Sequence, residues 1–217
     1  MLGELKHYQA RRIVCDLLAD KGREKPEIIA GAIYDSRWYV VRNAALILGE
    51  IGTDKSVNPL KKACEHDDER VRWEAITALY KIGSDTADET IIQSLDDESD
   101  RIRILAARHL AERRYRPAYE TLQAMVEDKT FGSVTASEQR EFLRALAVTG
   151  GEEALEYLKK LVTKWNPFGG QTVTRLKEMA VHAIALQESE EAYDLLSGWA
   201  SKSKGNLSIW AKSAMRE

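Results

Sequence analysis

Residues Val71 to Gly83 read Val-Arg-Trp-Glu-Ala-Ile-Thr-Ala-Leu-Tyr-Lys-Ile-Gly, and the stretch recurs. Val40 to Gly52 reads Val-Val-Arg-Asn-Ala-Ala-Leu-Ile-Leu-Gly-Glu-Ile-Gly, and Ile102 to Arg114 reads Ile-Arg-Ile-Leu-Ala-Ala-Arg-His-Leu-Ala-Glu-Arg-Arg. Each copy starts 31 residues after the one before. A fixed period of this size marks a repeat array. Within the central copy Val71, Ala75, Ile76, Ala78, Leu79 and Ile82 are apolar. That spacing places a broad stripe on one helix face. Gly52 and Gly83 stand where such a helix would end in a left-handed turn.

A shorter amphipathic segment follows each copy, Asp54 to Glu65 and Asp85 to Leu95, and then an acidic turn, His66-Asp67-Asp68 or Asp96 to Asp100. The unit is helix, turn, helix, turn, with Asp and Ser placed to cap the next helix. Neither helix can bury its stripe alone, so neighbours must stack. Arg72 and Arg103, at the second position of the unit, are expected to pair with acidic turns such as Asp67, Asp68 or Asp97.

The pattern resembles the short bacterial HEAT repeat, of the kind also found in phycobilisome-lyase-like proteins. That family's run is Val-Arg-x-x-Ala-Ala-x-Ala-Leu-Gly-x-Ile-Gly. Residues 71–83 match it except at Ile76 and Tyr80. The resemblance implies an all-α fold, an α-α superhelix forming a solenoid of about five to six helix pairs. The expected organisation is one solenoid over residues 1–217. Residues 1–34 would form N-terminal capping helices that shield the first hydrophobic edge, 35–127 the regular repeats, and 128–217 longer-loop repeats with a C-terminal cap.

The 217 residues are 44% hydrophobic and 31% charged, which suits a folded helical protein and argues against disorder. A net charge of −3 argues against nucleic acid as the partner of the whole chain. Cys15 and Cys64 both fall on apolar helix faces and read as buried thiols. Met1-Leu2-Gly3-Glu4 does not open a signal peptide, and no apolar run approaches spanning length. The expectation is a cytoplasmic protein without membrane insertion.

Two turns are enlarged, around Phe131 and around Trp165 and Phe168. Equivalent turns stack on one edge of a solenoid, so these loops are expected to be neighbours and to present their aromatics for binding. Positions 3, 4 and 7 of each long helix are expected to face away from the stack. By the resemblance these positions lie on the concave surface. There Trp73, Ile104 and Leu105 would form an exposed apolar strip edged by Arg42 and Arg108. Arg101 to Arg116 is rich in arginine and reads either as a phosphate-contacting patch or as a solvated face.

No catalytic, metal-binding or cofactor motif stands out. The paired His-Glu motifs of di-iron HEAT-repeat hydroxylases are not matched, since Glu65-His66 occurs once and in the reverse order. The expected function is a noncatalytic scaffold or adaptor for a protein partner. The alternatives are nucleic-acid binding through residues 101–116, or a bilin-lyase-like chromophore chaperone suggested by the repeat type.

Overall fold

The 31-residue period is visible first in the turns of the structure, a computed structural model that describes residues 8–164 and 170–216, with side chains from Arg12. Residues 35, 66, 97 and 128 share one device. The Asp35 carboxylate accepts the backbone N–H of Arg37 at 2.9 Å, and His66 Nδ1 accepts that of Asp68 at 2.9 Å. Asp97 accepts from Ser99 at 2.8 Å, and Asp128 from Thr130 at 2.8 Å. A side chain that bonds the backbone two residues on closes the turn and presents the chain to the next helix. Arg37 also clasps Asp35 through its guanidinium and holds that carboxyl down at about 2.

Helix ends repeat with the same period. Gly52, Gly83 and Arg114 lie 31 residues apart and have φ of 68°, 64° and 49°. The arginine shows that the array imposes the left-handed conformation even where glycine is missing. Helix starts are capped by side chains of the expected kind. Asp68 accepts from Arg70, Ser84 from Ala87, Thr135 from Glu138 and Ser189 from Ala192.

The chain divides into two compact units, residues 1–106 and 107–217, each with its own core. In the first, α1 (Tyr8–Gly22), α3 (Trp38–Ile51) and α5 (Glu69–Ile82) are the long helices. They pack α1 on α3 and α3 on α5. The short helices α2 (Pro26–Gly31), α4 (Val57–Ala63) and α6 (Asp85–Gln93) pack beside them as a second layer. Leu48, Leu60, Ile76, Leu79, Ile91 and Leu95 are fully buried between the layers. Gly49 brings α3 against α5, and a Cβ there would sit 2.7 Å from the Ala78 methyl. The helix α7 (Asp100–Glu112) carries the boundary between the units.

In the second unit α8 (Ala118–Glu127) packs on α9 (Ala136–Thr163), α9 on α10 (Gly170–Ala185), and α11 (Glu190–Lys202) and α12 (Asn206–Ala214) on α10. The helix α9 is broken at Gly151, with φ 55° and ψ −132°, into a long arm and a short arm. These are the two helices expected on either side of Gly150-Gly151. Gly150 is required by packing, since a Cβ there would meet the Tyr119 ring at 2.3 Å. Among the described residues the fold is entirely helical, an α-α superhelical stacking of helix pairs.

The first helix packs on α3. It takes the place of a long helix against α3, but Ile13 and Leu17 remain about 60% exposed and Ile28 68%.

The centre of the first unit is Arg72, whose side chain is 6% exposed. Its guanidinium grips Asp97 in bidentate fashion at 2.8 and 3.0 Å and donates to the carbonyls of His66 and Asp67 at 2.8 and 3.1 Å. It thus ties the turn before α5 to the turn before α7. Cutting Arg72 to alanine leaves a buried carboxylate and two carbonyls unpaired. Arg72→Ala is therefore expected to cost about 3–5 kcal/mol, seen as a lower urea midpoint. An unchanged midpoint would show that the clamp is not what holds the turns.

His109 offers a second test. Burial pushes its pKa below the ordinary 6.5, against a partial pull upward from Glu112. The folded state thus prefers neutral imidazole. Its contribution is complete above pH 6.5 and fades as pH falls from there toward the lower folded value. Thermal melts from neutral pH down to about 5 should show wild type losing stability faster than His109→Gln. Parallel curves would remove His109 as the cause.

Candidate functional site

The repeat decides which side chains are available for binding. In α5, positions 1, 2, 5, 6, 8 and 9 (Val71, Arg72, Ala75, Ile76, Ala78 and Leu79) are buried. Positions 3 and 7 turn outward as expected, with Trp73 and Thr77 half-buried. Arg42 and Ile104, also at position 3, are half-buried as well. The Arg101 guanidinium lies over the Trp73 ring at 5.5 Å while it pairs with Glu69 at 2.9 Å. Arg42 lies 5.3 Å over the Trp38 ring and donates to Asn43 at 3.1 Å. Trp73 and Arg42 are thus held in place by cation–π contacts, with part of each surface still in water.

Position 4 corrects the expectation. Asn43 is 2% exposed, Leu105 5%, and Glu74 is half-buried. Inside the stack a long helix has a neighbour on both sides, α1 and α5 for α3, so the covered sector is wider than a single stripe. Leu105 belongs to the core and not to an exposed strip. Burial raises the Glu74 pKa, while Lys81, Arg42 and Arg12 pull it back down. Lys81 also pairs with Glu50 at 2.6 Å, so the cations and carboxylates on this face of the first unit offset one another.

Phe131 is also corrected. It is 6% exposed, and its ring packs 6.2 Å from that of Phe142. Gln139 donates to the Phe131 carbonyl at 2.8 Å, which ties the enlarged loop back to α9. The aromatic covers a widened edge and does not present itself to a partner. The loop does reach the next repeat, where a Cβ on Gly132 would lie 3.7 Å from the Thr172 methyl. Trp165 and Phe168 lie outside the described residues.

The arginine-rich stretch is engaged one side chain at a time. Arg103 donates to the carbonyls of Asp97 and Glu98, repeating 31 residues later what Arg72 does at its own turn. Arg108 lies 3.6 Å from Glu141, Arg114 pairs with Glu188 at 3.0 Å, and Arg116 pairs with Glu153. Paired exposed cations are worth about 0–1 kcal/mol each to the fold and are poorly placed to hold phosphates. Burial pushes the Cys64 thiol up to about 12, which favours its protonated form.

A basic groove in the second unit escaped the sequence reading. In the long arm of α9, Glu138, Gln139, Phe142, Leu143, Ala145 and Leu146 are buried. They repeat the pattern of positions 1, 2, 5, 6, 8 and 9, which places Arg140 at position 3 and Arg144 at position 7. In α10, Ala180, Val181, Ala183 and Ile184 are the buried set. Glu178 then takes position 3 and His182 position 7. Between these two faces lies a groove of about 590 Å³. Arg140 and Arg144 line one wall, and Arg175, Glu178 and His182 the other. Met179 and Leu186 give it apolar surface, and Leu186 is 43% exposed. Arg144 is paired with Glu141 at 2.7 Å. Among the described residues Arg140 and Arg175 have no ion-pair partner. The available signal was the buried pattern of the two later copies, hidden because the lengthened turns break the 31-residue period.

The sequence matches no curated protein. Several solved structures are similar at low identity. The complex of CpcE and CpcF of phycocyanin lyase from Nostoc sp. PCC7120 is similar at 19% identity over 98% of this chain and 90% of that one, with a TM-score of 0.47. An engineered protein is similar at 20% over 88% and 95%, with a TM-score of 0.48. A designed armadillo repeat protein is similar at 17% over 88% and 98%, with a TM-score of 0.47. Residues 25–101 match the HEAT-repeat family. The match falls on the turns and helices where the period is strictest.

Proposed function

We propose that this chain is a noncatalytic protein-interaction module that binds through the outward face of its long helices. The observation that carries the reading is the row of half-buried side chains at position 3, Arg42, Trp73 and Ile104, set on helices whose inner faces are fully buried. Side chains fixed on rigid helices lose little entropy on binding. A half-exposed Trp beside arginine is the residue chemistry that dominates protein interfaces. Nucleic acid is the weaker reading, because arginines from 101 to 116 are engaged by carboxylates and carbonyls. Among the described residues no helix is long and apolar enough to cross a membrane.

The test is capture from nuclease-treated lysate of the source cells on immobilised wild type and Trp73→Asp, followed by affinity measurement for the captured protein. The variant should keep its helical circular dichroism and bind at least thirtyfold more weakly, as expected for the loss of about 2 kcal/mol at a central aromatic. Equal affinity for both forms would remove Trp73 from the interface.

A further inference from the structure

The groove between the long arm of α9 and α10 has two features that select a ligand. Arg140 and Arg175 stand on opposite walls, and neither has an ion-pair partner among the described residues. Their planar guanidinium forks suit carboxylates, which accept them in bidentate fashion. Met179 and Leu186 supply apolar surface within the same groove. A ligand that meets both carries an aliphatic group with carboxylates on either side.

We infer that this groove docks an acidic segment of a partner protein, with a leucine-type side chain against Met179 and Leu186 and flanking carboxylates on Arg140 and Arg175. The inference rests on the protein-interaction reading above and adds the chemistry of the partner. Charge complementarity favours it, since Arg140 and Arg175 place positive charge in the groove that no carboxylate among the described residues pairs. A polynucleotide is disfavoured by the lining. His182 is its only ring, so bases would have no large aromatic faces to stack on. The volume of about 590 Å³ accommodates a few side chains of a peptide.

The probe is a fluorescein-labelled peptide, Gly-Glu-Asp-Glu-Leu-Leu-Glu-Asp-Glu-Gly, titrated with the full chain and read by fluorescence anisotropy. Binding is expected to weaken with added salt. The double variant Arg140→Glu/Arg175→Glu should weaken it at least tenfold, and Leu186→Asp should weaken it too, with helical content unchanged. Both arginines are solvent-exposed, so reversing them is compatible with folding. Arg140→Lys/Arg175→Lys should recover part of the affinity.

No binding at low salt overturns the inference. So does equal binding of the peptide with Gln and Asn in place of Glu and Asp, or equal binding by the charge-reversed variant. Tighter binding of single-stranded oligothymidylate through the same arginines would assign the groove to nucleic acid and also overturn it. Sedimentation showing that a second copy of this chain fills the groove would do the same. A peptide lost on Trp73→Asp but kept by Arg140→Glu/Arg175→Glu would overturn the groove while leaving the interaction module standing.

Discussion

In the second, third and fourth copies the turn is closed against the helix that follows by a group from position 2 of that helix. Arg72 takes the carbonyls of His66 and Asp67, and Arg103 takes those of Asp97 and Glu98. In the fourth copy the turn is longer and the donor is Gln139, which takes the carbonyl of Phe131. Chain reversal between helices leaves carbonyls without helical partners, and burying them unsatisfied would cost about 1–3 kcal/mol each. Arg72 does more, because its remaining nitrogens reach Asp97 in the next turn. Successive turns of the first unit are therefore linked electrostatically as well as by helix packing.

This constraint matters because the short helices are weak. The helix α4 spans 7 residues and α6 spans 9, below the length at which an isolated helix holds in water. They persist because Leu60, Ile91 and Leu95 are buried against the long helices. The long helices in turn hold their outward side chains at fixed places. The two units use that face differently. In the first it carries an aromatic with compensated charges, Lys81 on Glu50 and Arg101 on Glu69. In the second it carries Arg140 and Arg175 beside exposed aliphatic surface.

Residue chemistry explains which parts of the candidate site were legible in the primary structure. Trp73 and Arg42 could be placed because their positions in the unit follow from the helical period. Leu105 could not, because a single-helix pattern does not show what covers a side chain from elsewhere in the fold, and Leu105 is buried. Phe131 was ambiguous for a related reason. A loop aromatic reads the same whether it faces solvent or turns inward, and Phe142 together with the Gln139 bond decides for inward.

The sequence by itself determined the repeat, its 31-residue period, the helical class, the capped helix starts, the glycine-closed ends and the engagement of Arg72 and Arg103 with the acidic turns. All of these are short-range or periodic consequences of residue type, so one chain carries them openly. Only the tertiary structure decided that Arg114 and Glu188 adopt left-handed conformations without glycine, that the Arg101 to Arg116 side chains are engaged, and that Arg140 and Arg175 line one groove. Those outcomes depend on which helix lies beside which, and on where five extra residues of turn between Asp128 and Glu138 displace the period relative to the preceding copy. Distances between side chains far apart in sequence are set by packing, and packing is not written in any single helix.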